Sequence, residues 1–263
     1  MSALGTASRL ADKLVNGGSR VAARRIPFRP LRLNLAAPLV SFTFDDFPLS
    51  AAENAAPALE AAGMRGTFYY AGGLAGRLEN GQEIAGREVA TDLAARGHEI
   101  GAHTHAHLNV QKTPMAELMA DVARNIAEVK GIAGAPVTSF AYPYGVLALR
   151  SKLALASRFA GLRGIQPGIN AGRIDLAHLL AQELYDASSN IDDVSALLDE
   201  VERLRGWLIF YTHDVRDNPS SIGCSPGYFR AVVELVKARG IAVATVAQVL
   251  DRIGATGRQT RSA

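Results

Sequence analysis

Two adjacent carboxylates, Asp45 and Asp46, follow an apolar stretch from Pro38 to Phe44. This stretch has the length and the β-branched and aromatic content of a buried strand. Because neighbouring side chains diverge where a strand ends, one carboxylate can bind a metal ion while the other faces a substrate. The alternative is a solvated turn acid and a helix N-cap, since Pro48 and Ser50 open a helical stretch. Taken alone, the pair favours this alternative.

A second polar group, His103 to His107, follows a predicted strand that ends at Ala102. His103 and His107 are four residues apart, so we expect one helical turn to place both imidazoles on the same side. There they can share a divalent cation, while His105 points elsewhere. A carboxylate from another strand end would complete a two-histidine, one-carboxylate site with open positions for water and substrate. Three histidines within five residues favour a metal site over ordinary loop hydrogen bonds.

Strands and helices alternate from Pro38 onward, which predicts a parallel sheet covered by helices. Seven or eight such units indicate an α/β barrel, in which the chemistry lies at the carboxyl ends of the strands. The predicted strands cover residues 39–44, 66–70, 99–102, 138–142, 161–165, 178–184, 208–212 and 241–245. The predicted helices cover residues 51–62, 82–96, 114–131, 147–159, 191–205 and 226–239.

The length of 263 residues and the hydrophobic fraction of 48% suit one large domain with a substantial core. The net charge of +3 is unevenly distributed, because residues 1–36 contain seven basic residues and only one acidic residue. The rest of the chain is mildly acidic. We therefore divide the chain into a basic N-terminal arm (1–36), a barrel domain (37–254) and a C-terminal tail (255–263).

The arm has two possible roles in addition to a simple solvated segment. It can pack on the barrel or on a partner subunit, with a short helix over Ala7 to Val15. Its basic residues can also hold the protein near anionic lipid or polyanionic glycan. The solvated arm is the favoured interpretation, and contact with a membrane surface is a lesser one. The oligomeric state does not follow from the sequence.

Composition also bears on compartment and partners. Cys224 is the single cysteine, so an internal disulfide is excluded. Arg9, Asp12 and Lys13 interrupt the first apolar residues, and no stretch reaches about 18 uncharged apolar residues. We therefore expect a cytoplasmic protein. No nucleic-acid-binding motif is present, and we expect no nucleic-acid partner.

Four ordered segments together resemble one known family. Residues 43–46 (Thr-Phe-Asp-Asp), 103–107 (His-Thr-His-Ala-His), 140–145 (Phe-Ala-Tyr-Pro-Tyr-Gly) and 208–213 (Leu-Ile-Phe-Tyr-Thr-His) resemble motifs of the polysaccharide deacetylase family. This is the NodB-homology or chitooligosaccharide deacetylase-like group, carbohydrate esterase family 4. The resemblance spans Pro38 to Leu250. It implies a distorted (β/α) barrel, usually of seven strands, and metal-dependent removal of acetyl groups from sugars.

The resemblance also implies roles for five residues. Asp46, His103 and His107 become the ligands of one divalent metal ion, with Zn²⁺ as the first choice and Co²⁺, Ni²⁺ or Fe²⁺ as alternatives. Asp45 becomes the general base and His213 the general acid. These roles suit the hydrolysis of an acetamide, which needs an activated water, a stabilised oxyanion and a protonated leaving amine.

Two tyrosines of the third motif are expected near the substrate. By analogy, the backbone N–H of Tyr144 stabilises the oxyanion. The aromatic rings of Tyr142 and Tyr144 are the best candidates to line the pocket and stack on sugar rings.

The chain departs from the family pattern in three places. Ala141 stands where many members have an arginine that contacts the base aspartate, so we expect Arg163 or Arg173 to supply the missing charge. Phe47 stands where glycine is common, and we expect it to narrow one wall of the pocket. The fourth motif of the family, usually an aspartate followed by a tryptophan, is not recognisable around residues 168–176. Asp175 is a weak candidate there for the partner of His213.

The sequence therefore predicts a metal-dependent hydrolase of carbon–nitrogen bonds other than peptide bonds. The expected substrate is an N-acetylated oligosaccharide or glycan precursor. Hydrolysis of a small cyclic or linear amide on the same barrel is one alternative. The other is a glycan-binding module without catalytic activity, although binding alone requires neither a base nor an acid.

Overall fold

The computed structural model describes residues 18–256 of the chain. The predicted helix over Ala7 to Val15 and most of the C-terminal tail lie outside these residues. The strands are β1 (Pro30–Leu33), β2 (Leu39–Phe44), β3 (Thr67–Tyr70), β4 (Leu78–Glu79), β5 (Gln82–Glu83), β6 (Glu99–Ala102), β7 (Ser139–Ala141), β8 (Gly161–Arg163), β9 (Gly172–Asp175), β10 (Gln182–Glu183), β11 (Trp207–Thr212) and β12 (Ala242–Val243).

The main sheet is parallel and has the order β10-β11-β2-β3-β6-β7-β8, with β12 also paired to β2. Its two edges approach each other. Leu179 forms a parallel bridge with Arg163 of β8, and β10 begins three residues later beside β11. The sheet is thus curled into a distorted barrel, as predicted from the sequence.

Residues 18–25 are helical, and the helices that follow them are α1 (Ala56–Ala61, preceded by a π-helical turn at Ala51–Ala55), α2 (Arg87–Ala95), α3 (Met115–Ala133), α4 (Leu149–Ala156), α5 (Ile191–Leu204), α6 (Pro226–Ala238) and α7 (Val246–Arg252). The helix predicted at residues 82–96 begins only at Arg87, because Gln82 and Glu83 form β5 instead. Helix α7 was not predicted. Within residues 18–256, no helix is long and apolar enough to cross a bilayer.

Alternation along β2 determines which side chains face the barrel interior. Phe42 and Phe44 pack against Phe229 of α6, with ring centroids 5.6 and 5.7 Å apart. Ser41 and Thr43, which alternate with these phenylalanines, face the opposite side of the sheet. There the Ser41 hydroxyl accepts a hydrogen bond from Trp207 Nε1 at 3.0 Å. The alternation therefore brings Asp45, the next residue after β2, to the interior side of the sheet.

The described part of the basic arm, residues 18–36, packs on the barrel. Strand β1 pairs with β9 in antiparallel register. The buried ammonium of Lys152 on α4 lies 2.6 Å from Asp175 Oδ2 and donates to the carbonyls of Ala23 and Ile26 at 2.6 and 2.8 Å. A buried charge is tolerated when it is paired and hydrogen-bonded in this way. This part of the arm therefore packs on the barrel, which was one of the roles considered for it.

Candidate active site

The two aspartates reach the same pocket through an unusual turn after β2. Asp45 is 3% exposed and continues the interior side of the strand. Asp46 and Phe47 both adopt left-handed backbone conformations, with φ of 57° and 62°. Such conformations are uncommon for residues other than glycine, although aspartate tolerates them. The turn lets both carboxylates line one pocket.

Phe47 does not narrow the pocket, so this prediction was wrong. Its side chain is fully buried in the core, with ring centroids 5.0 Å from Phe68 and 6.5 Å from Tyr70. The positive φ explains the preference for glycine at this position, because glycine adopts it without steric cost. In this chain, burial of the phenylalanine ring offsets that cost.

The histidines lie on a loop after β6 and not on the helical turn that we expected. Thr104 and His107 have φ of 58° and 51°, which a helical turn does not allow. The Asp121 carboxylate holds the loop by accepting hydrogen bonds from two consecutive backbone N–H groups, the first of which belongs to His105. The imidazoles of His103 and His107 still converge, with ring centroids 5.0 Å apart.

Asp46, His103 and His107, the three predicted metal ligands, are brought together. Asp46 Oδ1 lies 3.3 Å from His103 Nε2 and 3.0 Å from His107 Nε2. One potential ligand atom from each residue lies within 4.8 Å of the others. Two imidazole nitrogens and one carboxylate oxygen at these separations match the donors that zinc and related divalent cations bind.

The hydrogen bonds around the triad favour a cation at its centre. His103 Nδ1 lies 2.8 Å from the Ala141 carbonyl, an acceptor, so this nitrogen carries the proton of the neutral ring. The lone pair of His103 Nε2 then faces Asp46 Oδ1, which is buried and has no hydrogen-bond donor among residues 18–256. Two facing lone pairs repel each other, and a cation between them removes the conflict.

Charge and burial keep Asp46 and His107 in the protonation states that a cation needs. Burial acts to raise the pKa of Asp46, but the neighbouring imidazoles outweigh it and hold this pKa below its usual value. Burial, together with the nearby His103 ring, lowers the pKa of His107 to about 4. An ionised carboxylate and neutral imidazoles are the forms that bind metal ions.

Arg163 supplies the charge expected beside Asp45. Its guanidinium, fully buried at the end of β8, contacts the Asp45 carboxylate. The rings of Tyr69 and Tyr211 lie 5.1 and 5.2 Å from its central carbon and provide cation–π contacts. Arg173, the other candidate, lies exposed on β9. The arginine missing at Ala141 is thus replaced from the neighbouring strand.

His213 follows β11 and lines the same pocket, but Asp175 does not support it. The carbonyl of Ile222 lies 3.2 Å from His213 Nδ1 and takes the place of a carboxylate partner. Asp175 instead binds Lys152 and accepts a hydrogen bond from Arg29 N at 2.9 Å. The prediction that Asp175 pairs with His213 was therefore wrong, because pairing of β1 with β9 commits this carboxylate to the arm.

The pocket above the triad has a volume of about 470 Å³. Tyr144 lies at its rim, 60% exposed, with its ring centroid 4.4 Å from that of His107. Tyr142 was wrongly predicted to line the pocket. It is fully buried and donates a hydrogen bond to the Ala177 carbonyl at 3.2 Å.

Three polar pocket residues were missed by the sequence analysis. Glu79 and Asn80 lie on the β4–β5 hairpin, and Tyr185 lies between β10 and α5. Asn80 and Gly81 both have positive φ, at 50° and 76°, as a tight hairpin turn requires. The Asn-Gly dipeptide is a strong hairpin signal and could have located Glu79 and Asn80. No comparable signal marks Tyr185.

Comparisons with known proteins find one matching family and proteins of similar fold. The family model for polysaccharide deacetylase matches residues 33–165, just over half of the chain. No curated protein matches the chain significantly. A candidate polysaccharide deacetylase from Mycobacterium smegmatis has a similar structure at 16% identity, with a TM-score of 0.61 over 88% of this chain and 96% of the other.

Two further structures share the fold. A family 4 acetyl xylan esterase from Clostridium thermocellum, in complex with a cobalt ion, is 19% identical, with a TM-score of 0.55 over 81% of this chain and 90% of its own. A peptidoglycan deacetylase from Bacillus subtilis is 16% identical, with a TM-score of 0.53 over 87% of this chain and 97% of its own.

Proposed function

Because the chain belongs to the polysaccharide deacetylase family, we propose that it removes N-acetyl groups from an oligosaccharide or glycan precursor with one divalent cation. The observation that carries this proposal is the buried Asp46 Oδ1, which lies beside His103 Nε2 and His107 Nε2 without a donor among the described residues. The cobalt ion in the acetyl xylan esterase and the substrate of the peptidoglycan deacetylase support the proposal by analogy.

Asp46, His103 and His107 would hold the cation. When bound, a divalent cation lowers the pKa of a coordinated water and polarises the acetyl carbonyl. Asp45 lines the pocket beside these ligands and accepts a proton from the attacking water, while Arg163 fixes the orientation of its carboxylate.

The remaining steps need an oxyanion donor and an acid. The backbone N–H of Tyr144 donates a hydrogen bond to the oxyanion that forms when water adds to the carbonyl carbon. His213 then gives a proton to the amide nitrogen as the carbon–nitrogen bond breaks. Acetate and a free sugar amine leave the site. Nδ1–H of His213 donates a hydrogen bond to the Ile222 carbonyl. The ring therefore gains and loses the transferred proton at Nε2.

Acetate release from N-acetylglucosamine oligomers in the presence of added Zn²⁺ or Co²⁺ tests the proposal. We expect turnover by the wild-type protein and its loss in Asp45→Asn, a variant of nearly unchanged shape. An O-acetylated xylan oligomer in a parallel assay separates an amide hydrolase from an esterase. Opening of a small cyclic amide without acetate release would favour the small-amide alternative, and metal binding without any turnover would favour a binding module.

A further inference from the structure

A second, smaller cavity of about 210 Å³ adjoins the pocket, and we call it the side cavity. It shares with the main pocket a set of residues that includes one proposed metal ligand and the proposed acid: Asp46, Glu79, Asn80, His213 and Ile222. The rest of its lining consists of Pro48, Gln82, Ile84, Ser220 and Ser221. The side cavity therefore lies directly beside the position where a carbon–nitrogen bond would break.

The walls of the side cavity are fixed by a buried polar network. Gln82 Nε2 on the hairpin donates a hydrogen bond to Asp214 Oδ1 at 3.1 Å. Asp214 Oδ2 in turn accepts from Ser220 N at 2.8 Å, so the hairpin and the loop after His213 are held together. Gln82 and Asp214 are buried. A cavity whose walls are already held in place by hydrogen bonds binds a ligand at a lower cost in conformational entropy.

Two acceptors of the side cavity lack partners. Gln82 Oε1 is buried and has no hydrogen-bond donor within residues 18–256. Glu79 is half-buried, and in the described part of the chain its carboxylate has no hydrogen bond or ion pair to another residue. By contrast, Asp45 is paired with Arg163. A partly desolvated carboxylate without a partner is unfavourable, and a bound cationic group would compensate it.

Glu79 lines both cavities, so its charge acts on the main pocket as well as on the side cavity. A positive group on a substrate in the side cavity would therefore lie next to the reacting position and within reach of the Glu79 carboxylate.

We propose that the side cavity binds the sugar unit next to the one being deacetylated, and that Glu79 favours a free amino group on this unit. The inference rests on the proposed function. Hydrolysis breaks the bond between the acetyl carbon and nitrogen, adds water across it and leaves an amine that is protonated at mildly acidic pH. A unit that has just been deacetylated is thus the one that the side cavity prefers in the next turnover. Deacetylation therefore proceeds on consecutive units.

The test compares two substrates of the same length: an N-acetylglucosamine tetramer and the same tetramer with one unit already deacetylated. Acetate release is measured at mildly acidic pH, so that the amine of the deacetylated unit is protonated. In the wild-type protein kcat/KM is expected to be higher for the amine-bearing tetramer. In Glu79→Gln the ratio of the two kcat/KM values is expected to fall about two- to fivefold, the effect of one partly exposed ion pair.

Glu83→Gln is the matched control, because Glu83 lies exposed on the same hairpin and lines neither cavity. This variant is expected to keep the wild-type ratio. Equal kcat/KM values for the two tetramers in the wild-type protein, or an unchanged ratio in Glu79→Gln, would overturn the inference while leaving the proposed deacetylase activity intact.

If neither tetramer releases acetate, the proposed function fails, and calorimetric binding of a glucosamine tetramer decides the role of Glu79. Binding that weakens in Glu79→Gln and not in Glu83→Gln would still support an amine site in the side cavity. Absent binding, or equal binding by both variants, would overturn it.

Discussion

Arg163 and Asp45 form a buried ion pair at the carboxyl end of the barrel, and Arg163 lies directly opposite Ala141 in the register of β7 and β8. The arginine that the family pattern places at Ala141 therefore comes from the adjacent strand at the same level. Tyr69 and Tyr211 enclose the guanidinium. The departure at Ala141 thus gives no reason to prefer a small-amide substrate.

Replacement of Arg163 by methionine tests this pair. The variant leaves the Asp45 carboxylate buried and unpaired, which is expected to lower the free energy of unfolding by about 3–5 kcal/mol. It also frees the carboxylate from its fixed orientation and is expected to lower kcat on the order of 10²-fold. Urea denaturation and acetate release measure the two effects.

Two further variants make the test of Arg163 specific. Arg173→Met alters the exposed arginine that the sequence offered as an alternative, and it is expected to leave both quantities near the wild-type values. The double variant Ala141→Arg/Arg163→Ala moves the charge back to β7 and is expected to recover part of the lost activity. Full activity in Arg163→Met would contradict the role assigned to this residue.

Replacement of His213 by glutamine separates proton donation from metal binding. His213 lines the pocket but is not part of the triad. The variant is therefore expected to bind one divalent ion as the wild type does, while kcat falls by about 10²–10⁴-fold. Metal content and acetate release, measured on the same preparation, check both parts. Loss of the metal in this variant would show that His213 acts at the triad.

The buried His178 is expected to make folding sensitive to pH. Burial, followed by the nearby charge of Lys152, lowers the pKa of His178 to about 4 in the folded protein. The unfolded chain has a histidine pKa of about 6.5 and takes up a proton first as the pH falls. Stability from this residue is thus present above about pH 6.5 and declines toward pH 4, by up to about 1.4 kcal/mol per pH unit.

Urea denaturation between about pH 7.5 and pH 5 measures this slope. His178→Asn removes the titrating group, so its free energy of unfolding is expected to vary less with pH than that of the wild type. The variant is also expected to be less stable at neutral pH, because a buried ring is lost. An unchanged slope in His178→Asn would contradict the assignment.

The barrel and the clustering of its polar residues could be predicted because the signals are local. The strand before Asp45 and the strand before His103 are short apolar runs that end in polar residues. Parallel strands bring such ends to one edge whatever the details of the loops. This robustness explains why His103 and His107 meet Asp46 although they do not lie on a helical turn.

The errors concern contacts between segments far apart in the sequence. Asp175 binds Lys152 and Arg29 because β1 pairs with β9, which is a pairing across more than a hundred residues. Tyr142 is buried because its hydroxyl reaches Ala177, and Phe47 because its ring packs against Phe68 and Tyr70. Side-chain direction at a strand end depends on such tertiary contacts and not on local propensity.

The metal content of the purified protein tests the central claim most directly. After incubation with Zn²⁺ or Co²⁺ and removal of excess ion, elemental analysis is compared between the wild type and the variants Asp46→Ala, His103→Ala and His107→Ala. His105→Asn is the matched control, because His105 lies between two proposed ligands in sequence but binds Glu128. We predict one tightly bound divalent ion per chain in the wild type and in His105→Asn, and its loss in the other three. A wild-type protein that binds no ion, or triad variants that bind it as tightly, would contradict the account.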